Sequence, residues 1–274
     1  MDWPLQGLRL RVKDLEAELG FYRDLLGLKI LEQGGLLVRL APPNEGFILE
    51  LLPDPAAPLR PQPSLGLYHF ALLLPDRKSL AAVLRRLVEA RYPYWDGASD
   101  HGVSEALYLR DPEGNGLELY RDRPRAEWPQ GRDKVAMYSR RLDLDGLLAE
   151  SPAPASLHPD TLLGHLHLHV ADLDQAERFF TQATGMEVTQ RDYPGARFLA
   201  VDGYHHHLGI NTWAGGRTAP AGATGLLSYW WKGGWSREEL EGRLRGLGLE
   251  FAASSQGWVL TDPNGQTLHL LAEP

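Results

Sequence analysis

Val170-Ala171-Asp172-Leu173 repeats Val12-Lys13-Asp14-Leu15 at a distance of 158 residues, and Phe179-Phe180 and Gly185 repeat Phe21-Tyr22 and Gly27 at the same offset. An internal repeat constrains the fold more than any local pattern, because the chain must then stack or pair copies of one unit. In the first copy, residues 6–12 are expected as a strand. Asp14 is the N-cap of a helix whose apolar face is Leu15, Leu19, Tyr22, Leu25 and Leu26, and Gly27 is its stop. Residues 36–40 and 47–52 read as strands split by Ala41-Pro42-Pro43-Asn44. A second unit opens at Gly66-Leu67-Tyr68-His69, with Phe70, Leu72 and Leu74 on its outer apolar face. It continues with a helix over 80–90 and strands at 106–110 and 116–120, joined by Asp111-Pro112-Glu113-Gly114-Asn115. A fourth unit opens at Gly225-Leu226-Leu227-Ser228, has a helix near 237–247, and ends over 259–271 around the turn Asp262-Pro263-Asn264-Gly265. The chain is therefore expected to be α+β, with four βαβββ modules of about 50 residues forming two curved-sheet, half-barrel domains. These are placed at 1–125 and 161–274. Residues 126–160 are read as a linker with a short helix near 143–150 and the run Ser151-Pro152-Ala153-Pro154-Ala155.

The histidines give this scaffold its chemistry. His165, His167 and His169 alternate with Leu166, Leu168 and Val170, so strand periodicity puts the imidazoles on one face and the apolar residues on the other. One histidine so placed is ordinarily a satisfied half-buried residue. Three together, with His205-His206-His207 downstream, point to a metal or proton-transfer site. His69 stands seven residues before Asp76, and His165 stands seven before Asp172, so the two occupy equivalent places on equivalent first strands. Unit one has Gly7 there and unit four has Ser228. Glu118 lies seven after Asp111 on a last strand, at the parity of Tyr120, while His269 lies seven after Asp262 and Asn211 stands roughly there in unit three. Two histidines and one carboxylate converging in one cup would make a facial triad. That donor set suits non-haem Fe(II), with Mn(II) chemically admissible.

Composition removes several alternatives. The chain has no cysteine, which excludes disulfides, thiolate zinc sites and cysteine nucleophiles. A net charge of -8 argues against nucleic acid as a partner. No run of about 18 apolar residues suggests a membrane span, and Met1-Asp2-Trp3-Pro4 has no basic, apolar leader character, so a cytoplasmic enzyme is the expectation.

Gly164 to Asp172, the stretch from Gly203 to Trp213 and the run His101 to Pro112 leading to Gly116-Leu117-Glu118-Leu119-Tyr120 resemble the vicinal oxygen chelate superfamily. Within it they are most similar to the bacterial catechol 2,3-dioxygenases of the extradiol class. The resemblance implies opening of a catechol with O2 at a mononuclear Fe(II) to a 2-hydroxymuconic semialdehyde. It implies His69, His165 and Glu118 as metal ligands, and an acid–base histidine that does not itself bind the metal where strand four of the partner unit begins. His207 has the parity of Asn211 and is the expected residue, with His205 next and His206 pointing away. His101 and Tyr108 match positions that hydrogen-bond substrate or bound oxygen. One departure matters: the best-known extradiol enzymes build the site from units three and four, whereas here the set lies in units two and three. The expectation therefore requires unit two to pair with three and unit one with four. The competing readings are a glyoxalase-type isomerase or thiol transferase, disfavoured by Asn211 where a second carboxylate would stand, and a metal-free drug-binding protein. The expected partners are a small aromatic catechol and O2, with a homo-oligomer compatible with the sequence.

Overall fold

The computed structural model describes residues 3–34, 36–151 and 153–273. Two sheets dominate it. One runs β15-β16-β17-β14-β1-β4-β3-β2 and uses units one and four: β1 (Leu5–Val12), β2 (Lys29–Gly34), β3 (Leu37–Ala41), β4 (Ile48–Pro53), β14 (Gly225–Ser236), β15 (Ala252–Ser254), β16 (Gly257–Thr261) and β17 (Thr267–Glu273). The other runs β11-β12-β13-β10-β5-β8-β7-β6-β9 and uses units two and three. Its strands are β5 (Gly66–Leu74), β6 (Trp95–Asp100), β7 (Ser104–Arg110), β8 (Gly116–Asp122), β9 (Arg140–Arg141), β10 (Leu162–His169), β11 (Glu187–Gln190), β12 (Ala196–Ala200) and β13 (Leu208–Asn211). Each sheet thus draws strands from both halves of the chain, and unit two stands directly beside unit three.

Within each unit the first and last strands run parallel, as β5 with β8 and β10 with β13 do, and the units join through antiparallel first strands, β5 against β10 and β1 against β14. A parallel pair needs a crossover, and the unit's helix supplies part of it. The repeated aspartates start those helices. Asp76 accepts from the Ser79 N–H at the head of α2 (Arg77–Glu89), and Asp172 from the Gln175 N–H at the head of α4 (Leu173–Thr184). Asp14 does the same for α1 (Leu15–Leu19). In unit four Ser236 takes the role with a full capping box on α5 (Arg237–Gly246). The seven-residue spacing from strand histidine to aspartate is therefore a distance from strand face to helix cap.

The first helix departs from expectation. After α1 the chain widens into a π-helical stretch, Gly20–Leu25, which buries both Phe21 and Tyr22 and lets Tyr22 Oη donate to Asp111 at 2.8 Å. β2 and β6 were also not legible, because Lys29–Gly34 is almost wholly exposed and Trp95–Asp100 carries no apolar alternation. The short helix α3 (Leu144–Ala149) lies where the sequence reading placed it. Leu166, Leu168, Leu72 and Leu74 are fully buried on the helix side of the second sheet, which leaves the histidine side to line a cup. Among the described residues no helix is long and apolar enough to cross a membrane.

Candidate metal centre and its cavity

Register builds the centre. In the order β10-β5-β8, His165 lies opposite Ala71 and Ala71 opposite Glu118, so one row across three strands reads His165, Ala71, Glu118. Neighbouring strands are ~4.8 Å apart, which separates the outer two backbones by roughly twice that. Ala71 has only a methyl group, so the long side chains on either side can lean over it and meet. His69, two positions earlier on β5, shares their face. The result is His69 Nε2 to Glu118 Oε2 at 3.1 Å, His165 Nε2 to Glu118 Oε2 at 3.1 Å, and His69 Nε2 to His165 Nε2 at 3.3 Å. All three side chains are buried, and they form the group of potential ligands found among the described residues.

The donor set fits a divalent cation. Three lone-pair-bearing atoms face one another in a buried space, and one shared proton cannot satisfy all three contacts. Ligands at about 2.1 Å from a common centre and roughly 90° apart would stand ~3.0 Å from each other, close to the spacings seen. Protonation states agree. Burial alone would raise the Glu118 carboxyl, but His165 and His69 outweigh it and hold it well below its ordinary value. Burial pushes the His165 imidazole down to about 4, against the opposing pull of Glu118. An ionised carboxylate beside a neutral imidazole is the form a metal binds.

The corresponding row of the first sheet shows what the site needs. There Arg9 lies opposite Glu50 on one side and Ser228 on the other, so Arg9 occupies the place of Ala71 and Ser228 that of His165. Glu50 is neutralised by Arg9 Nη2 at 2.6 Å and Arg39 Nε at 3.2 Å. A guanidinium fills the row that a metal would use. Ala71→Leu would similarly plug the second sheet. It is expected to abolish metal retention while costing about 1–3 kcal/mol of fold stability through overpacking, checked by elemental analysis and thermal unfolding.

His69 and Glu118 line a cavity of about 670 Å³. Its wall includes the sequence-expected His101, Tyr108, His167 and His169, and it is completed by Tyr68, Tyr193, Phe198 and Trp213. These aromatics come from both units, and Tyr68 lies 4.7 Å from the His169 ring and 5.6 Å from Trp213. Met137 and Ser139, in the stretch read as linker, also line it, and Tyr138 O lies 2.7 Å from His101 Nδ1. No periodicity singled these residues out. Asn211 accepts from Trp213 N–H at 3.0 Å and lies 2.6 Å from His169 Nδ1, so it braces the wall from behind.

One expectation is corrected. His207 does not face the cavity: its ring packs 5.0 Å from Trp3 and 5.8 Å from Trp231, and its Nδ1 accepts from the Val201 N–H. His205 is fully buried and bonded to Asp122 and His206. His206 is the member of the run that lines the cavity, its ring 4.0 Å from that of His165. The error has a physical cause. β13 begins only at Leu208, and residues 201–207 form a turn, so alternation counted back from Asn211 does not extend to them. Burial pushes the His206 imidazole well below its ordinary value, aided by His165 and His205, and so keeps it neutral.

The fold and the centre together define a βαβββ protein of two half-barrel sheets, one of them carrying a His-His-carboxylate set beneath an aromatic cavity. The sequence signature of the Glyoxalase/Bleomycin resistance protein/Dioxygenase superfamily matches residues 5–119. A catechol-2,3-dioxygenase of Bacillus subtilis (strain 168) is 42% identical over 229 residues, 81% of this chain and 79% of that one. The chain belongs to this superfamily. A biphenyl-2,3-diol 1,2-dioxygenase of Rhodococcus globerulus is 30% identical over 119 residues, 41% of this chain and 60% of its own length. Among solved structures, a putative dioxygenase from Bacillus subtilis superposes with a TM-score of 0.71 at 13% identity, covering 99% of this chain and 85% of that one. Glyoxalase I from Zea mays superposes at 0.60 and 17% identity, covering 98% and 92%. These two show the shared fold.

Proposed function

We propose that the cavity of the second sheet is the active site of an extradiol dioxygenase that opens a catechol with O2 to a 2-hydroxymuconic semialdehyde. The observation that carries this reading is the convergence of His69, His165 and Glu118, of which His69 and Glu118 line an aromatic cavity. The extent and level of identity to a catechol-2,3-dioxygenase support it. We assign Fe(II) as the metal, with Mn(II) as the alternative that the same ligands would accept. When bound, the metal holds both reactants side by side and lowers the pKa of the catechol hydroxyls.

The chain's own residues would bind, orient and move protons. The aromatic wall of Tyr68, Trp213 and Phe198 stacks the substrate ring and excludes water. His206, neutral and facing the cavity, receives the catechol proton and can return it. His101 and Tyr108 act as a pair. The Tyr138 carbonyl can only accept, so His101 Nδ1 carries the hydrogen there, and His101 Nε2 accepts from Tyr108 Oη at 2.7 Å. Tyr108 then offers oxygen lone pairs to the cavity. A proton arriving at His101 Nε2 reverses the bond and frees the Tyr108 hydroxyl to donate to a developing oxyanion. Burial, then the Glu118 charge, keeps the Tyr108 hydroxyl protonated well above its ordinary range.

An isomerase with a second carboxylate ligand fits less well. Asn211 braces His169, and the other cavity carboxylate, Asp96, pairs with Arg110 at 2.7 Å. The test is metal analysis followed by addition of catechol under air. The expected result is stoichiometric iron, O2 uptake and a yellow ring-opened product. Iron-loaded protein that leaves catechol intact would overturn the reading.

A further inference from the structure

Behind His206, on the side away from the cavity, stand two polar groups that the scheme above does not use. His206 Nδ1 lies 2.7 Å from His205 Nδ1, and His205 Nε2 lies 2.8 Å from Asp122 Oδ1. Asp122 closes β8, the strand that carries Glu118. His205 is fully buried, its ring 4.0 Å from Tyr204 and 5.1 Å from Trp128. Trp128 is fixed in turn by donating Nε1–H to Arg123 O at 2.8 Å.

With His205 taken as the neutral imidazole, counting hydrogens gives this relay a direction. An ionised carboxylate accepts only, so His205 must present Nε2–H to Asp122. A neutral imidazole has one N–H, which leaves a lone pair on His205 Nδ1. Two facing lone pairs, or two facing N–H groups, would repel at 2.7 Å, so the hydrogen in the second contact belongs to His206 Nδ1. His206 Nε2 is then left without a hydrogen, and it lies across the ring from the buried contact. We propose that Asp122 and His205 are positioning residues: they hold the His206 ring in the tautomer whose bare Nε2 faces the cavity. The proposal rests on the reading of His206 as the proton carrier. It goes beyond that reading by assigning the source of its orientation to a buried Asp–His pair. The logic is that of a carboxylate orienting a catalytic histidine, where the wrong tautomer costs up to about 10⁴-fold in turnover.

Asp122→Asn tests it. An amide can donate its NH2 to His205 Nε2, which would reverse both hydrogen bonds and put the hydrogen of His206 on Nε2. The expected result is a fall in kcat of about 10²-fold or more with KM for catechol nearly unchanged, and partial rescue by Asp122→Glu. Independently, ¹⁵N-histidine spectra of the full chain loaded with diamagnetic Zn(II) are read for the His206 tautomer, with the signal assigned by its loss in His206→Gln. A bare Nε2 in the unsubstituted protein and a protonated Nε2 in Asp122→Asn support the proposal. A protonated Nε2 in the unsubstituted protein overturns it without need of any variant. So does an unchanged tautomer in Asp122→Asn, even where activity falls, because the role would then be structural. If catechol is not cleaved at all, the proposed function fails while the spectra still decide the tautomer.

Discussion

Glu118→Ala is expected to yield a folded protein that retains no metal and cleaves no catechol. Glu118 is the only anion among the three ligands, and it is buried with them. A divalent ion in a buried site needs compensating charge, and two neutral imidazoles supply none. Loss of a partner that merely orients a ligand typically costs about 10–100-fold in metal affinity, so loss of the anionic ligand should cost more. The fold should survive, because β8 keeps β5 on one side and β7 on the other, and those ladders do not use the carboxylate. Without it, His69 and His165 also lose the carboxylate that each meets at 3.1 Å, and a water would take its place. Two measurements check this. Elemental analysis should fall from one metal per chain to near none. The rise in Tm that metal gives the unsubstituted protein by binding only the folded state should disappear. A variant with full metal content and full turnover would remove Glu118, and with it the proposed centre.

How much of this was legible beforehand depends on the range of the interaction involved. His69 and His165 could be found because the signal is local: strand parity, a fixed count to the helix-capping aspartate, and the same count in two units. The four modules were legible for the same reason. The pairing of unit two with three, on which the site depends, is carried by the β5–β10 register, a contact between residues about 100 positions apart that no window of sequence contains. Ala71 is instructive. In the sequence it is one more apolar residue of a strand, and only when β8 and β10 are set on either side does its small size become the reason that His165 and Glu118 can meet. The aromatic wall was equally silent, since Tyr68, Tyr193, Phe198 and Trp213 look like ordinary core or surface residues until the cup closes around them. The His205-His206-His207 run fell between these cases: the chemistry was visible, but the side-chain directions were set by a turn and not by a strand.

That run supplies the second large effect. His206→Ala is expected to lower kcat by about 10²–10⁴-fold, the usual contribution of a positioned acid–base group, with metal content unchanged. The separation is possible because His206 touches His165 through ring contact at 4.0 Å and contributes no atom to the ligand triangle. Substrate affinity should change little, since the aromatic wall and the three ligands remain. His207→Ala is the discriminating control. Its ring fills space between Trp3, Tyr204 and Trp231, so its loss should cost roughly 1–3 kcal/mol of stability through a cavity and one unsatisfied backbone N–H at Val201. Turnover per folded molecule should nonetheless stay within a few-fold of the parent. Steady-state kinetics with catechol, normalised to metal content, reads the first effect, and denaturant unfolding reads the second. Were the two outcomes exchanged, with His207→Ala inactive and His206→Ala active, the strand alternation counted back from Asn211 would be the better guide. The turn at 201–207 would then have to reorganise when substrate binds, bringing the imidazole now packed on Trp3 round to the cavity.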